Sequence, residues 1–238
     1  MKMSHISLVA VILCGVLLIP QLAAAQVKDP AEIDSFISPG GGVAIPDDGY
    51  DGTLGSMACQ STSAPAGNVT AVDVDLGVDH SWVGDLTVKV VSPDSSVLTV
   101  LARPGLAGGP DDGTGCCGNN ADIINTSPIN FDDANPTDAE TMGSAGSFVC
   151  QDDGECTFFP NPDGAPGTDF SQFLGASTGG DWQVCVGDSA AGDAGFLIAS
   201  TVNVTVTVPT TNRVGLLLLL GLLAGGSLLV MRRKATIG

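Results

Sequence analysis

The sequence predicts an all-β protein, and three observations carry that expectation. Apolar residues recur at every second position in four separate segments. Turn formers are abundant, with Gly 32 and Pro 14 among 238 residues. No stretch of helical length shows an apolar stripe at 3.6-residue spacing.

The segments follow in order. Val72, Val74 and Leu76 alternate with Ala71, Asp73 and Asp75, and Leu86, Val88 and Val90 alternate with Thr87 and Lys89. Trp182, Val184 and Val186 alternate with Gln183 and Cys185, and Val202, Val204, Val206 and Val208 with Asn203, Thr205 and Thr207. Side chains on a strand point to opposite faces in turn, so each segment offers one face to a core and one to water. Pro46-Asp47-Asp48-Gly49, Ser92-Pro93-Asp94, Pro110-Asp111-Asp112-Gly113 and Asn161-Pro162-Asp163-Gly164 mark turns between them. Short antiparallel strands with one wet face imply a two-sheet sandwich.

Both ends read as targeting segments. Residues 1–25 have a signal-peptide pattern: Lys2, an apolar run from Ile6 to Ile19, then Ala23-Ala24-Ala25, which places the mature start at Gln26. Residues 26–42 read as a linker. Val214 to Met231 is an uncharged apolar run followed by Arg232-Arg233-Lys234. Such a run is a candidate membrane-spanning helix, and the basic end places the preceding domain outside. With Val208-Pro209-Thr210-Thr211 before it, the tail over 209–238 resembles the IPTL-type sorting signal of Gram-negative bacteria. That resemblance implies a sorting transpeptidase as partner, a temporary anchor at 214–231, and display on or release from the cell envelope.

Charge narrows the function further. Lys+Arg 8 against Asp+Glu 26 gives 8 − 26 = −18. All the acidic residues lie between 26 and 208, where the cations are Lys28, Lys89 and Arg103. A surface this acidic excludes nucleic-acid binding, which needs Lys and Arg to neutralise phosphates. Asp far outnumbers Glu, as suits turns in which a short carboxylate caps nearby amides. Asp is also a hard-oxygen ligand for calcium. The candidate ligands are Asp79, Asp85, Asp132, Asp133, Asp188 and Asp193, drawn from separate loops. Asp47-Asp48-Gly49-Tyr50-Asp51-Gly52 starts like an EF-hand loop but lacks its closing Glu.

Apart from Cys14 in the leader, six cysteines remain: Cys59, Cys116, Cys117, Cys150, Cys156 and Cys185. An even number in an exported chain reads as three disulfides. The expected pairing joins Cys116 and Cys117 to Cys150 and Cys156, and Cys59 to Cys185; a rival closes Cys150 on Cys156. Zinc is disfavoured, because neither a second CxxC-type pair nor supporting histidines exist.

From His80 the sequence runs Ser81-Trp82-Val83-Gly84-Asp85-Leu86, then a strand to Ser92-Pro93-Asp94, then Leu101-Ala102-Arg103-Pro104-Gly105. Further on come Asn130-Phe131-Asp132-Asp133-Ala134, Phe170-Ser171-Gln172-Phe173-Leu174-Gly175, Gly180-Asp181-Trp182, Asp188 and Gly192-Asp193-Ala194-Gly195. This order of motifs resembles the P-domain of the proprotein convertases (P/Homo B) over residues 43–208. Ser81 stands where the family has Thr, and Ser95 where it has Gly. The resemblance implies a galactose-binding-like jelly roll, with His80, Trp82, Gly84, Asp85, Leu86, Trp182, Asp188 and Gly195 as motif residues.

In that family the domain follows a subtilisin-like serine endopeptidase and supports proteolysis without performing it. Here no stretch before residue 43 is long enough for a protease domain, and a Ser-His-Asp triad would have His80 alone as its base. No catalytic residues are assigned. The expected role is a non-catalytic exported module that binds a protein or glycan ligand. The alternative is an accessory domain acting in trans on a separate subtilisin-like protease.

Overall fold

A computed structural model describes residues 42–207. The expected signal peptide, nearly all of the linker and the sorting tail with its apolar helix lie outside the described residues. Among the described residues no helix is long and apolar enough to cross a membrane.

Eight strands carry the fold: β1 (Val43–Ile45), β2 (Ala58–His80), β3 (Leu86–Val91), β4 (Val97–Ala102), β5 (Ile129–Phe131), β6 (Thr157–Phe158), β7 (Ser177–Asp188) and β8 (Gly195–Thr207). Between them stand 3-10 turns at Leu54–Ser56, Val83–Asp85, Ala139–Thr141 and Phe170–Phe173. The main path of pairing runs β1-β8-β2-β7-β3-β4, with β5 on β2 and β6 on β5. All these pairs are antiparallel except β5 with β6.

The 23-residue strand β2 organises the molecule. Its first half pairs with β7 from Ala58 to Asn68, and its second half pairs with β8 from Asn68 to His80. The change of partner follows a register shift between Ala64 and Gly67. Pro65 falls within that shift, as expected for a residue with no amide to donate to a ladder. One continuous strand therefore serves β7-β3-β4 with one half and β8, β1 and β5 with the other. Val74, Leu76, Val88, Val90, Leu98, Trp182, Val184 and Leu197 from both halves meet in a single core.

The alternation read from the sequence picks the inward faces correctly for Val72, Val74, Leu76, Trp182, Val184, Val186 and Val202, all buried. It fails for the outer face of β3. Thr87 and Lys89, expected in water, are buried, as is Cys185 beside them on β7. The segment around Tyr50 and Met57 folds over that face and forms a second apolar cluster with Cys185. Lys89 Nζ bonds to Asp111 Oδ2 at 2.7 Å and Gly52 O at 3.3 Å, and stands 5.2 Å from the Tyr50 ring centroid. The Tyr50 hydroxyl donates to the other oxygen of Asp111, and burial together with that carboxylate pushes the phenol pKa well up.

Candidate functional site

The His80 turn is where the motif residues meet. β2 ends at His80, the 3-10 turn Val83–Asp85 reverses the chain, and Leu86 opens β3. Leu86 lies opposite Asp188 on β7, and His80 opposite Gly195 on β8. Two glycines permit the close approach. A Cβ on Gly84 would collide with the backbone of Gly118 and Asn119, and one on Gly195 with Asp79 O and the His80 ring. Trp182 is the motif residue placed elsewhere: it packs edge-on against Phe173 in the core, with centroids 5.0 Å apart.

His80 is closed off from solvent and both its ring nitrogens are engaged. Nε2 lies 3.2 Å from Asp188 Oδ2, and Nδ1 lies 3.1 Å from the Trp82 amide and 3.0 Å from the Trp82 carbonyl. With the proton on Nε2, the ring donates to Asp188 and accepts the Trp82 N–H. Asp188 Oδ1 accepts from Ala190 N at 3.0 Å, so both its oxygens are bonded. Asp85 is 2% exposed, and among the described residues its Oδ1 has no hydrogen-bond partner. Burial, followed by the charges of Asp188 and Asp193, pushes the Asp85 pKa up to about 6.

This His–Asp pair resembles part of a catalytic triad, but both nitrogens of the ring are already engaged, by Asp188 and by the Trp82 backbone. Gly175-Ala176-Ser177-Thr178-Gly179 has the Gly-x-Ser-x-Gly spacing of a nucleophile elbow. Ser177, however, opens β7 with no helix behind it, and pairs with Asn68 at the far end of the β2 segment that terminates in His80. Twelve residues of strand (80 − 68) separate the two levels, roughly 40 Å at about 3.3 Å per residue. Ser81, the hydroxyl next to His80 in sequence, donates instead to Asp193 Oδ1 at 2.7 Å.

The six aspartates expected to hold calcium do not converge. Asp188 bonds to His80, Asp193 to the adjacent Ser81, and Asp85 lies within electrostatic reach of all three of Asp188, Asp193 and His80. Asp79 accepts from Asn125 N at 2.6 Å beside a cleft on the neighbouring surface. Asp132 and Asp133 cap Ala134 N and Phe170 N at a different cleft of about 150 Å³. Among the described residues, the one group of three possible metal ligands within 4.8 Å of one another is Asp85, Cys116 and Cys117. Zinc is disfavoured in the sequence because neither a second CxxC-type pair nor supporting histidines exist; the fold instead brings a carboxylate, Asp85, to the two cysteines.

The disulfides include the expected Cys59–Cys185 and the rival closure Cys150–Cys156, and correct the expectation that Cys116 and Cys117 join Cys150 and Cys156. Cys59 faces Cys185 across β2 and β7, with Cα atoms 4.1 Å apart, and the two are bonded. Cys116 is joined to Cys117, and Cys150 to Cys156, so no disulfide crosses between these loops. Gly118 N bonds to Gly84 O and Asn119 N to Pro104 O, while Gly154 N folds back on Cys150 O.

The surface cleft beside the turn has a volume of about 210 Å³ and is lined by Asp79, His80, Asp122, Ile123 and Phe196, among others. Phe196 is 49% exposed. Phe148, 39% exposed, flanks the same edge by pairing with Asp122. No signal in the sequence marks these two rings, because exposure of an aromatic depends on which strand covers it.

No protein-family model and no curated protein matches this chain. Among solved structures, it is similar to the serine protease of Aeromonas sobria, with 20% identity and a TM-score of 0.39 over 71% of this chain and 25% of that one. It is also similar to the same protease in complex with its chaperone ORF2, with 18% identity and a TM-score of 0.34 over 72% and 23% of the respective chains. The chain thus spans about a quarter of the length of either structure.

Proposed function

We propose that residues 43–208 form a P-domain-type jelly roll that acts by binding, without catalysis of its own, and is displayed on a bacterial envelope by the C-terminal tail. The observation that supports this most strongly is the state of His80. It is the histidine of the described domain, it is sealed from solvent, and both ring nitrogens serve the fold. A general base must reach the proton it removes, and this one faces Trp82 and Asp188. The cleft beside it has the composition of a contact surface instead: an exposed phenylalanine ring and two carboxylates. Aromatic faces stack on sugar rings and apolar side chains, and carboxylates accept from hydroxyls or cations. The ligand class is therefore a glycan or a basic protein segment.

Labelling the purified chain with a fluorophosphonate probe, beside a casein assay, tests the absence of chemistry. Neither labelling nor cleavage is expected, and labelling that disappears in Ser177→Ala or His80→Ala would overturn the reading. Binding is tested on glycan and basic-peptide arrays, with Phe196→Ser expected to lose the signal. A role in support of a separate subtilisin-like protease predicts something different: the chain raises the melting temperature of that protease when the two are mixed.

A further inference from the structure

We propose that Asp85, Cys116 and Cys117 form a redox-gated site for a thiophilic divalent cation such as zinc or cadmium. This goes beyond the binding role above and does not depend on it. Two independent observations meet at the same place. The first is the ligand geometry: one carboxylate oxygen and two sulfurs within 4.8 Å of one another. The second is the unpartnered Oδ1 of Asp85 on a side chain that is almost wholly buried. A buried carboxylate oxygen without a donor is costly, and a bound cation supplies what the protein leaves out.

The position of the sulfurs is fixed by backbone on either side. Arg103 donates to the carbonyls of Pro110, Thr114 and Gly115, and Gly118 and Asn119 are bonded to Gly84 and Pro104. None of these bonds involves the sulfurs, so the loop stays over Asp85 whichever redox state they adopt. Two thiolates and one carboxylate with a fourth position left to water suit zinc or cadmium and disfavour calcium or magnesium, which take oxygen ligands.

The disulfide is the closed state, because its sulfurs carry no thiolate. A dithiol reductant opens it: the Cys116–Cys117 bond breaks, each sulfur gains one electron and one proton, and the reductant becomes a disulfide. The metal ion then displaces the two thiol protons and binds. Both cysteines are exposed, whereas Cys185 is fully buried. A mild dithiol therefore opens this pair while Cys59–Cys185 stays closed.

The test uses the purified full chain, oxidised or treated with a mild dithiol that is then removed without air, and titrated with cadmium alone. The reduced chain is expected to bind one cadmium with a thiolate-to-metal charge-transfer band, and the oxidised chain none. Cys116→Ser and Cys117→Ser should each weaken the band and the affinity. Asp85→Asn should keep the band while losing about tenfold or more in affinity, whereas Asp181→Asn, paired with Ser63 away from the His80 turn, should change neither. Melting curves of the oxidised variants confirm that each is folded. No cadmium bound by the reduced chain would overturn the proposal. So would equal affinity in Asp85→Asn, which would mean a bare dithiol chelate.

Discussion

His80 Nε2 lies 3.2 Å from Asp188 Oδ2, with neither side chain exposed to solvent. The pair joins the end of β2 to the end of β7, and Asp85 sits beside it with an unbonded oxygen. Removing one partner of a buried pair strands the other, at about 3–5 kcal/mol. His80→Ala is therefore expected to lower stability by that order in urea unfolding. A loss below about 1 kcal/mol, as for an exposed pair, would show that the contact holds nothing.

Asp85 gives the pH dependence its sign. Its folded pKa of about 6 lies above the ordinary 3.8. The folded state therefore binds the proton more tightly than the unfolded state does. The resulting stabilisation is complete below pH 3.8 and is lost as pH rises through about 6. Asp85→Asn cannot ionise. In the oxidised, metal-free chain the variant should gain stability relative to the parent between pH 4.5 and pH 7.5, about the interval over which Asp85 ionises. Urea unfolding at the two pH values measures this, and an unchanged difference would count against the burial of Asp85.

The outer face of β3 should be sensitive in one direction. Asp111→Ala leaves the Lys89 ammonium buried with Gly52 O and the Tyr50 ring, and is expected to cost about 3 kcal/mol or more. Lys89→Met keeps the volume and removes the charge from the interior, so its cost should be smaller. Equal losses in chemical denaturation would mean that packing, not charge, governs this face.

The disulfides should differ in weight. Cys59–Cys185 spans a sequence separation of 126, and Cys150–Cys156 one of 6. Loop-closure entropy then predicts about 5 kcal/mol from the first and about 2 kcal/mol from the second. Paired Cys→Ala variants of each, compared by denaturant midpoint, should fall in that order.

Much of the β architecture is legible in the sequence, because a strand with one buried face writes its period into the chain. Val74, Leu76, Val184 and Val186 show this directly. Lys89, Thr87 and Cys185 mislead for a physical reason: a loop segment, invisible to local periodicity, covers their face. The His80 turn is legible as a motif, but the surroundings of Asp85 are not, since Asp188 arrives from the end of β7 and Cys116 and Cys117 from a loop distant in sequence. The Gly-x-Ser-x-Gly spacing at Ser177 is a pattern without its structural context. A pattern of five residues carries chemistry only where the fold supplies an elbow and a base, and here the strand register keeps His80 far away.

His80, with no side-chain exposure and both ring nitrogens engaged, acts as a structural pin between β2 and β7. Diethyl pyrocarbonate, which modifies accessible imidazoles, tests this role most directly when peptide mass spectrometry follows the site through a urea titration. His80 is predicted to stay unmodified in the folded chain and to react only in step with global unfolding. Rapid modification of His80 in the native protein would contradict the account.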